Sequence, residues 1–157
     1  MANRAITKAS LRLQAKTGLS SEAALALLKS TAESVKGGGA SVLSSAKNIG
    51  ARVRVDSETA SRLQLSVVGG RAAISTLGRP KPLCSFSAQA RPSNGHTELV
   101  VGGLEKWSSR QERLLGVIPT GPVVIAGMTP YKRFLHAVSK RLQEVDPSAQ
   151  ITIAEGV

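Results

Sequence analysis

Residues 129–147, TPYKRFLHAVSKRLQEVDP, constrain the fold more than any other stretch of this chain. Tyr131, Phe134, Leu135, Val138, Leu142 and Val145 recur at helical spacing and form one continuous apolar stripe. Lys132, Arg133, His136, Lys140 and Arg141 fall on the other side. Thr129 is placed to cap the helix with Pro130 at its first position, and Asp146-Pro147 ends it. Such a stripe needs an apolar surface to cover.

The rest of the chain supplies that surface as strands. ASLRLQAK (9–16) alternates Ala9, Leu11, Leu13 and Ala15 with polar residues, the period of a strand with one buried face. TGLSSEAALALLKSTAESVKGGG follows. Ser20 or Ser21 caps a helix there, Glu22 suits its first turn, Leu25, Leu28, Ala32 and Val35 form its stripe, and Lys36 with Gly37 closes it. From residue 51 the pattern becomes a meander: ARVRV, RLQLSVV, RAAISTL, LCSFSAQA (83–90) and TELVVGGLEKW (97–107). Gly69-Gly70 and Asn94-Gly95 are two-residue hairpin connections, since both positions accept positive φ. SSRQER reads as a polar loop, LLGVI as a short strand ended by Pro119, and residues 119–122 as a turn. VVIAG then leads into the last helix, and the tail SAQITIAEGV either adds a short strand or frays.

The expected fold is therefore α+β: a curved antiparallel sheet of about six to seven strands, packed on a long C-terminal helix, with an N-terminal strand–helix unit. The 157 residues suit one domain, 1–157, with loose ends at 1–6 and 148–157. One Trp, one Tyr and two Phe leave a core of aliphatic side chains. A single cysteine, Cys84, excludes an intrachain disulfide and a cysteine zinc cluster. Residues 2–4 are Ala, Asn and Arg with no apolar run behind them, so no secretion signal is read, and the apolar stretch at 116–128 is too short and broken to span a bilayer. A cytoplasmic location is expected.

The strand–helix opening ASLRLQAKTGLSSEAALALLKSTAESV, the Gly-Gly and Asn-Gly hairpins, and the closing TPYKRFLHAVSKRLQ together resemble the helix-grip fold of the START and polyketide-cyclase-like superfamily, often labelled SRPBCC. The resemblance covers nearly the whole chain and rests on element order rather than on a short motif. It implies a hydrophobic small molecule held between sheet and last helix, with Phe86, Leu99, Val101, Phe134, Leu135 and Val138 as pocket walls. The chain departs from that pattern in being short and poor in aromatics. A looser resemblance, on a curved sheet with two helices on one side, is to TATA-binding-protein-like folds.

No residue cluster identifies a reaction. Gly37–Gly39 lacks phosphate-loop spacing and follows a helix, which makes it a C-cap and hinge. Gly116, Gly121 and Gly127 match no dinucleotide fingerprint. His96 beside the Asn94-Gly95 turn and His136 between Lys132 and Lys140 are expected at the surface, with no acid or thiol at metal spacing. Cys84 alternates inward with Phe86 and has no basic neighbour to activate it. Glu98, Glu105 and Glu112 read as separate surface acids.

The charge is more suggestive. Twenty-one Lys and Arg against 10 Asp and Glu give +11, a surplus that attracts anions. Arg12, Lys16, Arg52, Arg54 and Arg62 all lie on the polar sides of their strands, and would form one cationic surface if those strands were neighbours. No aromatic side chain interleaves them for base stacking. The expectation is a non-enzymatic protein without cofactor or metal that binds a small apolar ligand between sheet and C-terminal helix. The alternatives are a module binding nucleic acid or an anionic surface, and an assembly subunit using a sheet edge or the ITIAEGV tail.

Overall fold

The computed structural model describes residues 8–34, 52–68, 82–107, 109–110, 113–114, 118–119 and 124–155. Among them, β1 (Leu11–Thr17) leads to α1 (Ser21–Ser34), then β2 (Arg52–Glu58), β3 (Arg62–Val68), β4 (Pro82–Ser93) and β5 (His96–Trp107). Four two-residue strands follow: β6 (Ser109–Arg110), β7 (Arg113–Leu114), β8 (Ile118–Pro119) and β9 (Val124–Ile125). The chain closes with α2 (Met128–Val145) and β10 (Gln150–Glu155). Among the described residues the fold is α+β, with a sheet of six strands in the order β10-β1-β5-β4-β3-β2, every pairing antiparallel, and α1 and α2 on one face. β6 pairs with β9 and β7 with β8 in two small ladders. The hinge at Gly37–Gly39, the Gly69-Gly70 connection and the strand RAAISTL lie outside the described residues.

Local chemistry sets most of the boundaries. Ser20 caps α1, its Oγ accepting from the Ala23 N–H at 3.1 Å. Asn94 and Gly95, with φ of 47° and 83°, make the tight turn of the β4–β5 hairpin. β4 nevertheless continues past Ala90 to Ser93, because Arg91, Pro92 and Ser93 pair with Glu98, Thr97 and His96 on the way into that turn.

The start of α2 differs from expectation. Its cap is Gly127, not Thr129, and Pro130 is buried within the first turn. The Tyr131 N–H donates to the Gly127 carbonyl at 3.1 Å, closing the turn two residues earlier than the Thr-Pro signal implies. Gly127 is left-handed, with φ of 83°, and a Cβ there would lie 3.0 Å from Cys84 Sγ and 3.1 Å from Leu83 Cβ. Close docking on β4 therefore decides the helix start, and a threonine two residues later cannot compete with it.

The core fills the space between the helices and one sheet face. Leu13, Leu63, Leu65, Val67, Phe86, Ala88 and Val101 point there from the strands, and Leu28, Phe134, Leu135, Val138 and Leu142 from the helices, all 0% exposed. Burying each of the larger side chains stabilises by about 1.5–3 kcal/mol. Val145 extends the α2 stripe in sequence but is 59% exposed, so the buried stripe ends at Leu142.

Tyr131 is the polar anchor within this core. Its ring is fully buried and meets Phe86 edge-on at 4.9 Å. Its hydroxyl donates to the Leu11 carbonyl of β1 and accepts from the Gly103 N–H of β5 at 3.1 Å. Gly102, at φ of 100°, gives the hydroxyl room, since a Cβ there would run into it and sit 3.2 Å from the Leu11 oxygen. The β4–β5 register shifts on either side of Phe86, beside this seat. Burial raises the phenol pKa, so the group stays a neutral donor.

The other end of α2 is tied by Asp146, its C-cap. Oδ2 accepts from Thr17 Oγ1 at 2.7 Å and the Gly18 N–H at 2.9 Å, and Oδ1 accepts from Ser148 Oγ at 2.7 Å. The Ser148 hydroxyl, the Gly18 amide and the Thr17 hydroxyl, in that order, lower its pKa from 3.8 to about 2.

Two outcomes are expected. Tyr131→Phe should lower unfolding free energy by about 1–3 kcal/mol in urea titration, because the Leu11 carbonyl and Gly103 amide lose a buried partner. The Asp146 carboxylate favours the native state above its unfolded pKa near 3.8, and that contribution disappears as pH falls through about 2. Midpoints of wild type and Asp146→Asn, compared across pH, should differ at neutral pH and converge near the acid end.

Candidate functional site

Alternation along each strand sends every second side chain away from the helices. The register then assembles these side chains into rows. Lys16 on β1 stands opposite Glu98 on β5, and Glu98 opposite Arg91 on β4, while Gln150 on β10 flanks Lys16 on its other side. The next row is Thr152, Gln14, Val100, Gln89 and Arg62. Arg12 stands opposite Gly102 one row further on. Two depressions share Glu98 and Val100 as common lining. One of about 220 Å³ extends over Ser87, Gln89 and Arg91, and one of about 340 Å³ over Gln14, Lys16, Gln150 and Thr152. Both open to solvent, and together they form a shallow polar trough across β10, β1, β5 and β4. Toward β3 the face is not bare, since Ser66 and Val68 are each 1% exposed.

Charge in the trough is only partly balanced. Among the described residues, Arg12 and Lys16 make no ion pair, and Arg91 donates to Gln89 Oε1 at 3.1 Å. Glu98 is the single acid among them and makes no ion pair either.

The five cations expected to share a surface divide into two groups. Arg12 and Lys16 sit on β1, while Arg52 and Arg54 sit on β2 and Arg62 on β3. Strands β5, β4 and β3 lie between β1 and β2, which puts them about 19 Å apart at the usual interstrand spacing. Arg54 pairs with Asp56 at 2.7 Å, and Arg62 with Glu105 at 3.2 Å, with Gln64 donating to the same carboxylate at 3.1 Å. The uncompensated cations near β1 are joined instead by Arg91. Sequence reasoning passed over Arg91 by ending its strand at Ala90. The signal was available, because a two-residue Asn94-Gly95 turn by itself places Arg91 opposite Glu98.

The six residues expected to wall an apolar pocket do come together on the inner face. Phe86, Val101, Phe134, Leu135 and Val138 are 0% exposed and Leu99 is 1% exposed. Phe86 touches both Tyr131 and Phe134, the latter with ring centroids 5.6 Å apart. Apart from Leu99, which also lines the larger depression, these residues pack on one another and border neither depression.

The remaining candidates are chemically quiet. Burial raises the Cys84 thiol to about 12, against a smaller lowering by its Val67 backbone bond, so it is protonated near neutral pH. His136 is exposed. His96, expected at the surface, is half-buried, with Nε2 shielded and without a hydrogen-bond partner among the described residues. Among the described residues no three His, Cys, Asp or Glu side chains converge as metal ligands, and no helix is long and apolar enough to cross a membrane. Comparison with protein-family models, with curated proteins and with solved structures finds no match.

Proposed function

We propose that this domain acts by binding rather than catalysis, and that its binding surface is the open sheet face, where an anionic polymer of the nucleic-acid type lies across β10, β1, β5 and β4. The observation that carries this reading is the trough lined by Lys16, Arg91 and Glu98, flanked by Arg12, in a chain of net charge +11. Gln14, Gln89, Gln150 and Thr152 add neutral donors along the same path. The absence of aromatic side chains from these rows favours contact with phosphates over base stacking. We read the architecture as helix-grip-like, supported by the one-sided antiparallel sheet, the leading β1–α1 unit and α2 across the covered face.

Titration with labelled duplex and single-stranded nucleic acid, and with anionic vesicles as a separate arm, tests this. Three neutralised phosphates imply an affinity loss of about 40-fold for duplex between about 50 and 200 mM salt. Lys16→Glu combined with Arg91→Glu should abolish binding, and Glu98→Gln should tighten it about two- to fivefold. No binding at low salt, or no effect of these substitutions, ends the proposal. Binding to vesicles alone moves the partner to a lipid surface.

A second reading, the apolar ligand between sheet and α2, rests on the α2 stripe lying against an aliphatic sheet. Such a ligand has to part Phe86 from Tyr131 and Phe134. Native mass spectrometry of the purified protein decides it: a co-purifying apolar molecule supports the pocket, and bare protein mass removes it.

A further inference from the structure

The sheet has two edges, and they are built differently. β2 carries Arg52, Arg54, Asp56 and Glu58 within seven residues, and its register shifts between Val55 and Ser57. Charges and bulges on an edge strand obstruct the addition of another strand. β10, QITIAE, has neither defence. Its one charged residue is the terminal Glu155, and its register with β1 runs unbroken from Lys16↔Gln150 to Leu11↔Glu155. Among the described residues nothing pairs with its outer side. On the face the helices cover, Ile151 and Ile153 pack against the core but stay half-buried, whereas their β1 partners Ala15 and Leu13 are 5% and 0% exposed. The apolar layer therefore stops short of completion at this edge.

We propose that β10 is a homotypic interface, where two copies of this chain pair edge to edge and continue one sheet across both. The two β10 strands run antiparallel about a two-fold axis perpendicular to the sheet. Directly opposed residues in an antiparallel pair point to the same face, so the axis passes through a residue and not between two. With the axis at Thr152, Ile151 meets Ile153 of the second copy on both sides of it. Thr152 meets itself on the open face, and Gln150 meets Ala154 of the second copy. An axis at Ile153 sets Ile151 against Glu155, and one at Ile151 sets Ile153 against Ala149. Only the first register forms two isoleucine pairs and completes the apolar layer.

The pairing has a salt dependence opposite in sign to anion binding. Two chains of +11 repel, and screening weakens that repulsion, so salt strengthens the dimer. This separates the two proposals, since either can fail while the other stands.

Sedimentation of the full chain is expected to show a concentration-dependent monomer–dimer equilibrium that shifts toward dimer as salt rises. Thr152→Cys should form a covalent dimer on mild oxidation, because paired Cα atoms about 4.5–5.5 Å apart lie within disulfide reach. Gln150→Cys, whose counterpart is Ala154, should not, and Cys84 is buried. Ile153→Lys should give a monomer, with circular dichroism confirming that the fold remains. A monomer at every concentration overturns the proposal, as does equal cross-linking at positions 150 and 152.

Discussion

The hydroxyl of Tyr131 holds the parts of this fold in register. It is a polar atom inside an aliphatic core, and such an atom is tolerated only when its hydrogen bonds are made. Here it bonds Leu11 on the first strand and Gly103 on the fifth, so one side chain of the last helix joins β1 to β5. Those strands are neighbours although about half of the chain separates them. Gly102 leaves room for the contact, Phe86 supports the ring from β4, and Gly127 lets the helix begin close enough for the ring to reach. Asp146 then fixes the far end of the same helix to Thr17 and Gly18, at the end of β1.

With α2 held at both ends, the two faces of the sheet acquire different roles. α1 and α2 share the inner face, and Arg141 reaches from α2 to Ser34 of α1 at 2.9 Å. The inner face becomes a packed layer of small side chains around Phe86, Tyr131 and Phe134. The outer face has no described helix against it, and its polar rows remain in water across four strands. The proposed binding follows this asymmetry: the filled side provides stability, and the open stretch of four strands presents cations, amides and one acid at fixed spacings. The same strand order leaves β10 at one margin, so the partners proposed for the face and for the edge would use adjoining surfaces.

Much of the fold was legible because it is local. Alternation marked β1 to β5, Ser20 marked the start of α1, Asn94-Gly95 marked a hairpin, and Asp146-Pro147 marked the end of α2. The Thr129-Pro130 signal missed the start of α2, because docking of Gly127 on Cys84 and Leu83 outweighs a capping preference. Val145 kept the helical period but projects into solvent, since periodicity does not reveal where the supporting surface ends. The cations of the candidate site were recognised residue by residue, but their grouping was not. Arg12 and Lys16 belong with Arg91, through Glu98, and not with Arg52 and Arg54.

By itself the sequence determined the types of β1 to β5 and of both described helices, one hairpin register, the aliphatic character of the core and the excess of positive charge, whereas it read SSRQER as a loop and VVIAG as a lead-in where β6 and β9 lie. These depend on periodicity, turn geometry and composition, which act over a few residues. Tertiary structure alone decided that β1 lies between β5 and β10, that Lys16 joins Arg91 beside the Glu98 carboxylate, and that β10 has a side with which no described strand pairs. Each of these depends on pairings between residues distant along the chain.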